Sequence, residues 1–237
     1  MSLKDKVRRK INSLLSDEHA KVSYSQCGED LIIRFILDTL GKTTISYLDI
    51  GAHHPTYINN TALFYKTGST GISIEPDPFL FERIAAERPK DTNLNIGIGG
   101  QAARSEADFY ILSEKTLNTF SKEEAERCVS YGNKKIEKIV KLPLVPINEI
   151  IQHYFHPVPD FVSLDVEGYD IVILKSFDFE KYRPKVWCIE TLTYTEDKSE
   201  RKIQETIDYM ISKDYFVYAD TYINTIFVDK TSWLNRK

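Results

Sequence analysis

The strongest constraint on this chain is a run of short apolar segments, most of them ending on an acidic residue and separated from the next by a stretch of helical character. Ile45–Ile50, Gly71–Ile74, Asn93–Ile98, Phe161–Asp165 and Val186–Glu190 have the length and apolar density of strands buried on both faces. Between them, Leu31–Leu40, Asn60–Lys66, Pro78–Arg88, Asp170–Ser176 and Glu200–Ser212 carry apolar residues at helical spacing. Gly41 stands where the first of these helices should stop, and Asn59 or Asn60 where the second should be capped. Strand–helix alternation of this kind requires crossover connections and a parallel sheet. Tyr215–Ala219 and Ile223–Val228 are separated by a short polar turn and are expected to close the sheet with an antiparallel hairpin. Residues 100–156 are less regular, with strands expected at Ala107–Leu112 and Ile139–Leu144 and a helix at Ser121–Val129. The expectation is one α/β domain over residues 1–237: a mostly parallel central sheet with a C-terminal antiparallel hairpin and helices on both faces.

Composition narrows the class further. With 42% hydrophobic and 12% aromatic residues the chain can fill a core. A formal net charge of −4 provides no footprint for nucleic acid. Three widely spaced cysteines do not form a disulfide framework. No apolar run reaches the roughly 20 residues that span a bilayer, and Met1–Lys10 lacks the apolar centre of a secretory signal, so a cytoplasmic protein is expected. Lys4–Leu15 places Val7, Ile11, Leu14 and Leu15 at helical spacing among basic residues. An ordinary short helix with a solvated basic face is the expectation there, and weak peripheral membrane association the alternative.

In an open α/β sheet, ligands bind outside the carboxyl ends of the strands, where the strand order reverses. Those ends carry Asp49-x-Gly51-Ala52-His53-His54, Glu75-Pro76-Asp77, Asp165-x-Glu167-Gly168 and Glu190. Carboxylates are rarely buried without partners, so four acidic strand ends point to a site. Glu75, some twenty residues beyond the Gly51 turn, is placed to accept the two hydroxyls of a ribose. A pyrophosphate would call for further glycines after Gly51, but His53 and Thr56 stand there instead. That favours S-adenosylmethionine (SAM) over a nicotinamide dinucleotide. An NAD(P)-dependent oxidoreductase and a non-catalytic nucleoside-binding module, docked for instance on a glycosyltransferase, are the alternatives.

Asp165 and Glu190 are expected on neighbouring strands, facing one another where a transferable methyl would lie. With His53 they form a candidate oxygen–nitrogen ligand set for Mg²⁺ or Mn²⁺. Without a metal, His53, Asp165 or Glu167 is the candidate general base. Asp165 and Glu167, two apart on a strand, should share a side. Of His53 and His54, at least one is expected to serve the loop's own backbone. His19, His153 and His156 lie outside the strand-end clusters and are read as surface residues.

The segments "YSQCGEDLII" (Tyr24–Ile33), "YLDIGAHHPTYINNTALFYKTGSTGISIEPDP" (Tyr47–Pro78), "FVSLDVEGYDIVILKSFDF" (Phe161–Phe179) and "VWCIE" (Val186–Glu190) resemble the FkbM-type methyltransferases. The resemblance implies the class I methyltransferase Rossmann-like fold and a SAM site built from Gln26, Asp49, Gly51, Ala52, Asn60, Glu75, Pro76 and Asp165. It also implies methyl transfer to a hydroxyl of a sugar or glycan acceptor, in a surface polysaccharide or a glycosylated natural product. Residues 1–40 would supply a helical lid segment, with Gln26–Asp30 beside the cofactor. Two departures stand out. His53 and Pro55 replace the Asn and last Gly of the D-I-G-A-N-x-G loop common in that family. Lys115–Lys138 has no counterpart, and residues 113–140 are expected to form an acceptor-side insertion.

Overall fold

A computed structural model of the chain describes residues 19–100, 103–131, 133–193 and 199–236. The basic segment Lys4–Leu15 lies outside the described residues. Seven strands form the central sheet: β1 (Ser46–Ile50), β2 (Thr70–Ile74), β3 (Thr92–Leu94), β7 (Phe161–Leu164), β8 (Val186–Glu190), β9 (Tyr215–Asp220) and β10 (Asn224–Asp229). Their order is β3-β2-β1-β7-β8-β10-β9, parallel except for β10, which runs antiparallel to both neighbours. The expected terminal hairpin is present. Its second strand lies inside the first, so β9 forms the edge.

Strand periodicity explains how both faces are covered. Tyr47, Phe161, Val186, Cys188, Ile226 and Val228 point to one face, where α1 (Glu29–Thr39) brings Ile33, Ile36 and Leu37 and α2 (Ala62–Lys66) brings Phe64. The alternate residues Leu48, Ile50, Val162, Leu164, Trp187, Ile189 and Phe227 point to the other. There they meet Ile147, Ile150 and Ile151 of α5 (Ile147–Tyr154), Ile173 and Leu174 of α6 (Asp170–Ser176) and Met210 of α7 (Gln204–Ser212). At the end of α1, Gly41 (φ 72°) adopts the left-handed conformation that lets its N–H reach the Asp38 carbonyl and the Lys42 N–H reach that of Leu37. Helix α3 (Pro78–Glu87) starts on an Asp77 cap that accepts the Phe79 N–H, with proline at its first position.

The run Asn93–Ile98, expected as one strand, is two. Asn95 donates its amide to the carbonyls of Glu75 and Pro76, and this divides the segment. Thr92–Leu94 stays in the main sheet, while β4 (Gly97–Gly99) leaves it to pair with β6 (Ile136–Pro146). With β5 (Ser105–Leu112), these make a separate three-stranded sheet in the order β4-β6-β5. A 3₁₀ turn at Lys115–Leu117 and helix α4 (Lys122–Tyr131) connect β5 to β6. The final helix, α8 (Lys230–Leu234), was not expected from the sequence. Among the described residues, no helix is long and apolar enough to cross a membrane.

Candidate active site

The strand order reverses between β1 and β7, and the chain is tightest there. Gly51 (φ 83°) turns directly out of β1, and a Cβ on it would lie 1.8 Å from the Asp165 carbonyl oxygen. A residue with a side chain fits neither the backbone conformation nor the gap. The Gly51 and Ala52 N–H groups both donate to the Ile74 carbonyl, and the Asp165 N–H donates to that of Ile50, so three strand ends leave the sheet together.

A cavity of about 370 Å³ opens beyond these ends, within the range typical of small-molecule pockets. Gln26, Gly51, His53, Glu75, Pro76, Asp165, Glu167 and Glu190 all line it. The other predicted residues lie elsewhere. Asp49 is buried beneath the loop, accepting from Asn59 Nδ2 (3.0 Å) and Thr61 Oγ1 (2.6 Å). Asn60 directs its amide to Ser163 Oγ (3.1 Å) and Cys188 Sγ (3.7 Å). Ala52 is buried, and its carbonyl is taken by Asn59.

Glu75 stands at the end of β2 with its carboxylate held from two sides. The His53 N–H donates to Oε2 (2.7 Å) and the Asp77 N–H to Oε1 (2.8 Å). Burial pushes its pKa up to about 8, while the two N–H donors pull the other way. The remaining lone pairs can accept from a ligand in the cavity.

The second acidic group forms where β7 and β8 end side by side, in the register Leu164↔Ile189. Asp165, Glu167 and Glu190 bring carboxylate oxygens within 4.8 Å of one another. Asp165 and Glu167 do not share a strand face as expected, because β7 stops at Leu164. Glu167 (φ 51°) and Gly168 (φ 90°) instead fold a turn that brings Glu167 back beside Asp165. His53 is absent from this group. The titratable neighbours of its side chain are His54, Asp77 and Glu114, so of the expected ligand set the structure groups Asp165 and Glu190, joined by Glu167. His54 spends Nδ1 on the N–H groups of Thr56 and Tyr57, a service to its own turn.

Burial first, and repulsion second, raise the pKa of every acid in the group. Asp165 is pushed up to about 6, with Asp49 adding to the burial effect, and neighbouring Asp170 to about 8. Glu167 and Glu190 rise well above the ordinary glutamate value. Burial also lowers the pKa of His53, which keeps its imidazole neutral.

The family model for the Methyltransferase FkbM domain matches residues 49–217, from Asp49 in β1 to Val217 in β9. The chain belongs to that family. No curated protein matches the sequence. An FkbM methyltransferase from Methylobacillus flagellatus KT is similar in structure, with TM-score 0.47 and 15% identity over 78% of this chain. This chain spans 44% of the length of that one. The 1,6-didemethyltoxoflavin-N1-methyltransferase of Burkholderia thailandensis, whose structure holds S-adenosylhomocysteine (SAH), gives TM-score 0.44 and 10% identity, covering 95% of this chain and 86% of its own. The magnesium protoporphyrin IX methyltransferase of Synechocystis PCC 6803, with bound SAM, gives 0.42 and 7%, covering 84% and 78%.

Residues 113–140 were expected beside the site, but no single residue of that segment was singled out from the sequence. Residues 115–120, in the connection between β5 and β6, wall the cavity, and Asn118 Nδ2 donates to Asp77 Oδ2 (2.9 Å) beside Glu75. The same segment reaches the acidic group, where Thr119 Oγ1 donates to the Glu167 carbonyl (3.5 Å). The expected insertion therefore lines the cavity, reaching Asp77 beside Glu75 and the backbone of Glu167. In the Gln26–Asp30 segment, Glu29 and Asp30 turn inward. Glu29 accepts from Thr221, Asn224 and the Cys27 N–H, and Asp30 from Ser23, Ser25 and the Tyr24 N–H, which leaves Gln26 facing the cavity.

Proposed function

We propose that this chain is a SAM-dependent O-methyltransferase that methylates a hydroxyl of a sugar in a surface glycan or a glycosylated natural product. The observation that carries the reading is the Glu75 carboxylate. It is fixed by two backbone N–H groups and lines a cavity that the clustered carboxylates of Asp165, Glu167 and Glu190 also line. The residues fit a nucleoside: Glu75 accepts its ribose hydroxyls, Gly51 leaves room beside them, and Gln26 and Pro76 flank the same end. When bound, SAM supplies a methyl group activated on a sulfonium. Ile74, Ile98 and Leu117 give the cavity part of its apolar wall.

On the acceptor side, Asp165, whose pKa of about 6 leaves it ionised at neutral pH, serves as the proton acceptor for the sugar hydroxyl, with Glu167 beside it. A carboxylate whose pKa is raised is a stronger base than one in water, and this brings it closer to the hydroxyl it must deprotonate. Asp165, Glu167 and Glu190 are also the oxygen donors that Mg²⁺ or Mn²⁺ takes, and such an ion would acidify a hydroxyl bound to it. The test is incubation with SAM and a panel of sugars and glycan fragments, read as a mass gain of one methyl group. Transfer to oxygen supports the reading; transfer solely to nitrogen or carbon acceptors, or none, refutes it. Loss of activity in EDTA with recovery in Mg²⁺ or Mn²⁺ assigns the ion, and indifference to EDTA assigns the carboxylate base alone.

A further inference from the structure

A buried network that takes no part in the chemistry above lies directly beneath the cofactor loop. Arg88, 1% exposed at the end of α3, sits on the rings of Tyr47 and Tyr65. Its Nε donates to Asp91 Oδ2 (2.8 Å), Nη2 to the Tyr47 hydroxyl and Thr61 Oγ1 (2.9 Å each), and Nη1 to Asn59 Oδ1 (3.2 Å). With the guanidinium and the Thr61 N–H (3.0 Å) both directed at Oδ1, the Asn59 amide has one possible orientation. Its Nδ2 is left to donate to Asp49 Oδ2 (3.0 Å) and the Ala52 carbonyl (2.9 Å). The Asn59 backbone N–H holds the Tyr24 carbonyl (2.9 Å), two residues before Gln26.

The Ala52 carbonyl and the His53 N–H are opposite ends of one peptide unit, which is planar. Asn59 holds its oxygen, and its N–H is the donor that fixes Glu75 Oε2 at 2.7 Å. His53 is left-handed (φ 53°), a conformation a histidine keeps only when its surroundings impose it. We propose, on the cofactor assignment made above, that Asn59 is a positioning residue. Clamped by Arg88, it orients the 52–53 peptide and through it the Glu75 carboxylate that receives the cofactor. The buried charge at Arg88 thereby sets the geometry of a ligand group it never touches.

A double-mutant cycle tests this, with SAH binding measured by calorimetry at a temperature where every variant is folded. Asn59→Ala should weaken SAH binding at least tenfold, but add less than threefold when Glu75 is already Gln, because both substitutions break the same link. Tyr47→Phe, which removes an Arg88 bond on the side away from the loop, should lower the Tm and leave SAH affinity within twofold of wild type. Arg88→Lys keeps the charge but loses the fork, and should weaken SAH at least threefold; this variant carries the test if Asn59→Ala does not fold. Multiplicative effects of Asn59→Ala and Glu75→Gln, or a Tyr47→Phe loss equal to that of Asn59→Ala, would reduce the network to a stabilising one and overturn the proposal. Hydrogen exchange at the His53 amide reads the same link without any cofactor. Faster exchange in Asn59→Ala supports the positioning, and unchanged exchange overturns it. Should the wild-type protein fail to bind SAH, the cofactor assignment falls separately and the His53 exchange decides the rest.

Discussion

Replacing Asp165 with Asn should stabilise the ligand-free protein, by an amount that depends on pH. Among the described residues the Asp165 side chain makes no hydrogen bond, and burial together with Asp49 raises its pKa from 3.8 to about 6. At about 1.4 kcal/mol per unit, that shift corresponds to about 3 kcal/mol. The folded-state pKa lies above the unfolded one, so the folded protein holds a proton that the unfolded chain has released. The penalty is therefore absent below pH 3.8, grows between pH 3.8 and 6, and is complete above 6. Asp165→Asn should raise the Tm at pH 8 by roughly 6–12 °C, on a scale of about 2–4 °C per kcal/mol for a chain of this size. At pH 4 it should leave the Tm unchanged. Scanning calorimetry of both proteins from pH 4 to 9 measures this. A gain of equal size at every pH, or a loss at pH 8, would refute the claim that the carboxylates are crowded at the expense of stability.

At pH 9, above the raised pKa of about 8, Glu75→Gln keeps the side chain's shape but removes the charge that ribose hydroxyls would meet. At about 1.5–3 kcal/mol for a hydrogen bond to a charged group, SAH affinity should fall roughly 10- to 100-fold by calorimetry. Gly51→Ala drives a Cβ to 1.8 Å from the Asp165 oxygen at φ 83°, and should cost several kcal/mol, seen as a sharply lower Tm. If a divalent cation sits on Asp165, Glu167 and Glu190, millimolar Mg²⁺ should raise the wild-type Tm at pH 8 and leave that of Asp165→Asn unmoved. Equal shifts in both proteins would place the ion elsewhere.

What the sequence made legible was whatever repeats along the chain. The two-sided apolar strands β1, β2, β7 and β8 announce a buried parallel sheet, and the acids that end them mark its ligand-binding edge. Gly41 announces the end of α1 because left-handed backbone favours glycine. Helix α5 was missed although Ile147, Ile150 and Ile151 show its period, because eight residues between a strand and a loop offer little more than one apolar stripe. The split between β3 and β4 depends on Asn95 reaching carbonyls some twenty residues away, which no local pattern records. The same holds for Arg88, an ordinary helix-end arginine in sequence, whose partners Tyr47, Asn59 and Thr61 are gathered by the fold. The clustering of Glu167 with Asp165 was expected for the wrong reason. A left-handed turn achieves what a shared strand face was expected to do.

The most direct test of the whole account is calorimetric titration of the wild-type protein with SAH and, in parallel, with NAD⁺. One SAH per chain, with no heat from NAD⁺, is the predicted result, because Glu75 can receive a ribose while a loop with His53 and Thr56 in place of later glycines offers no seat for a pyrophosphate. Binding of NAD⁺ in preference to SAH, or of neither, would contradict it.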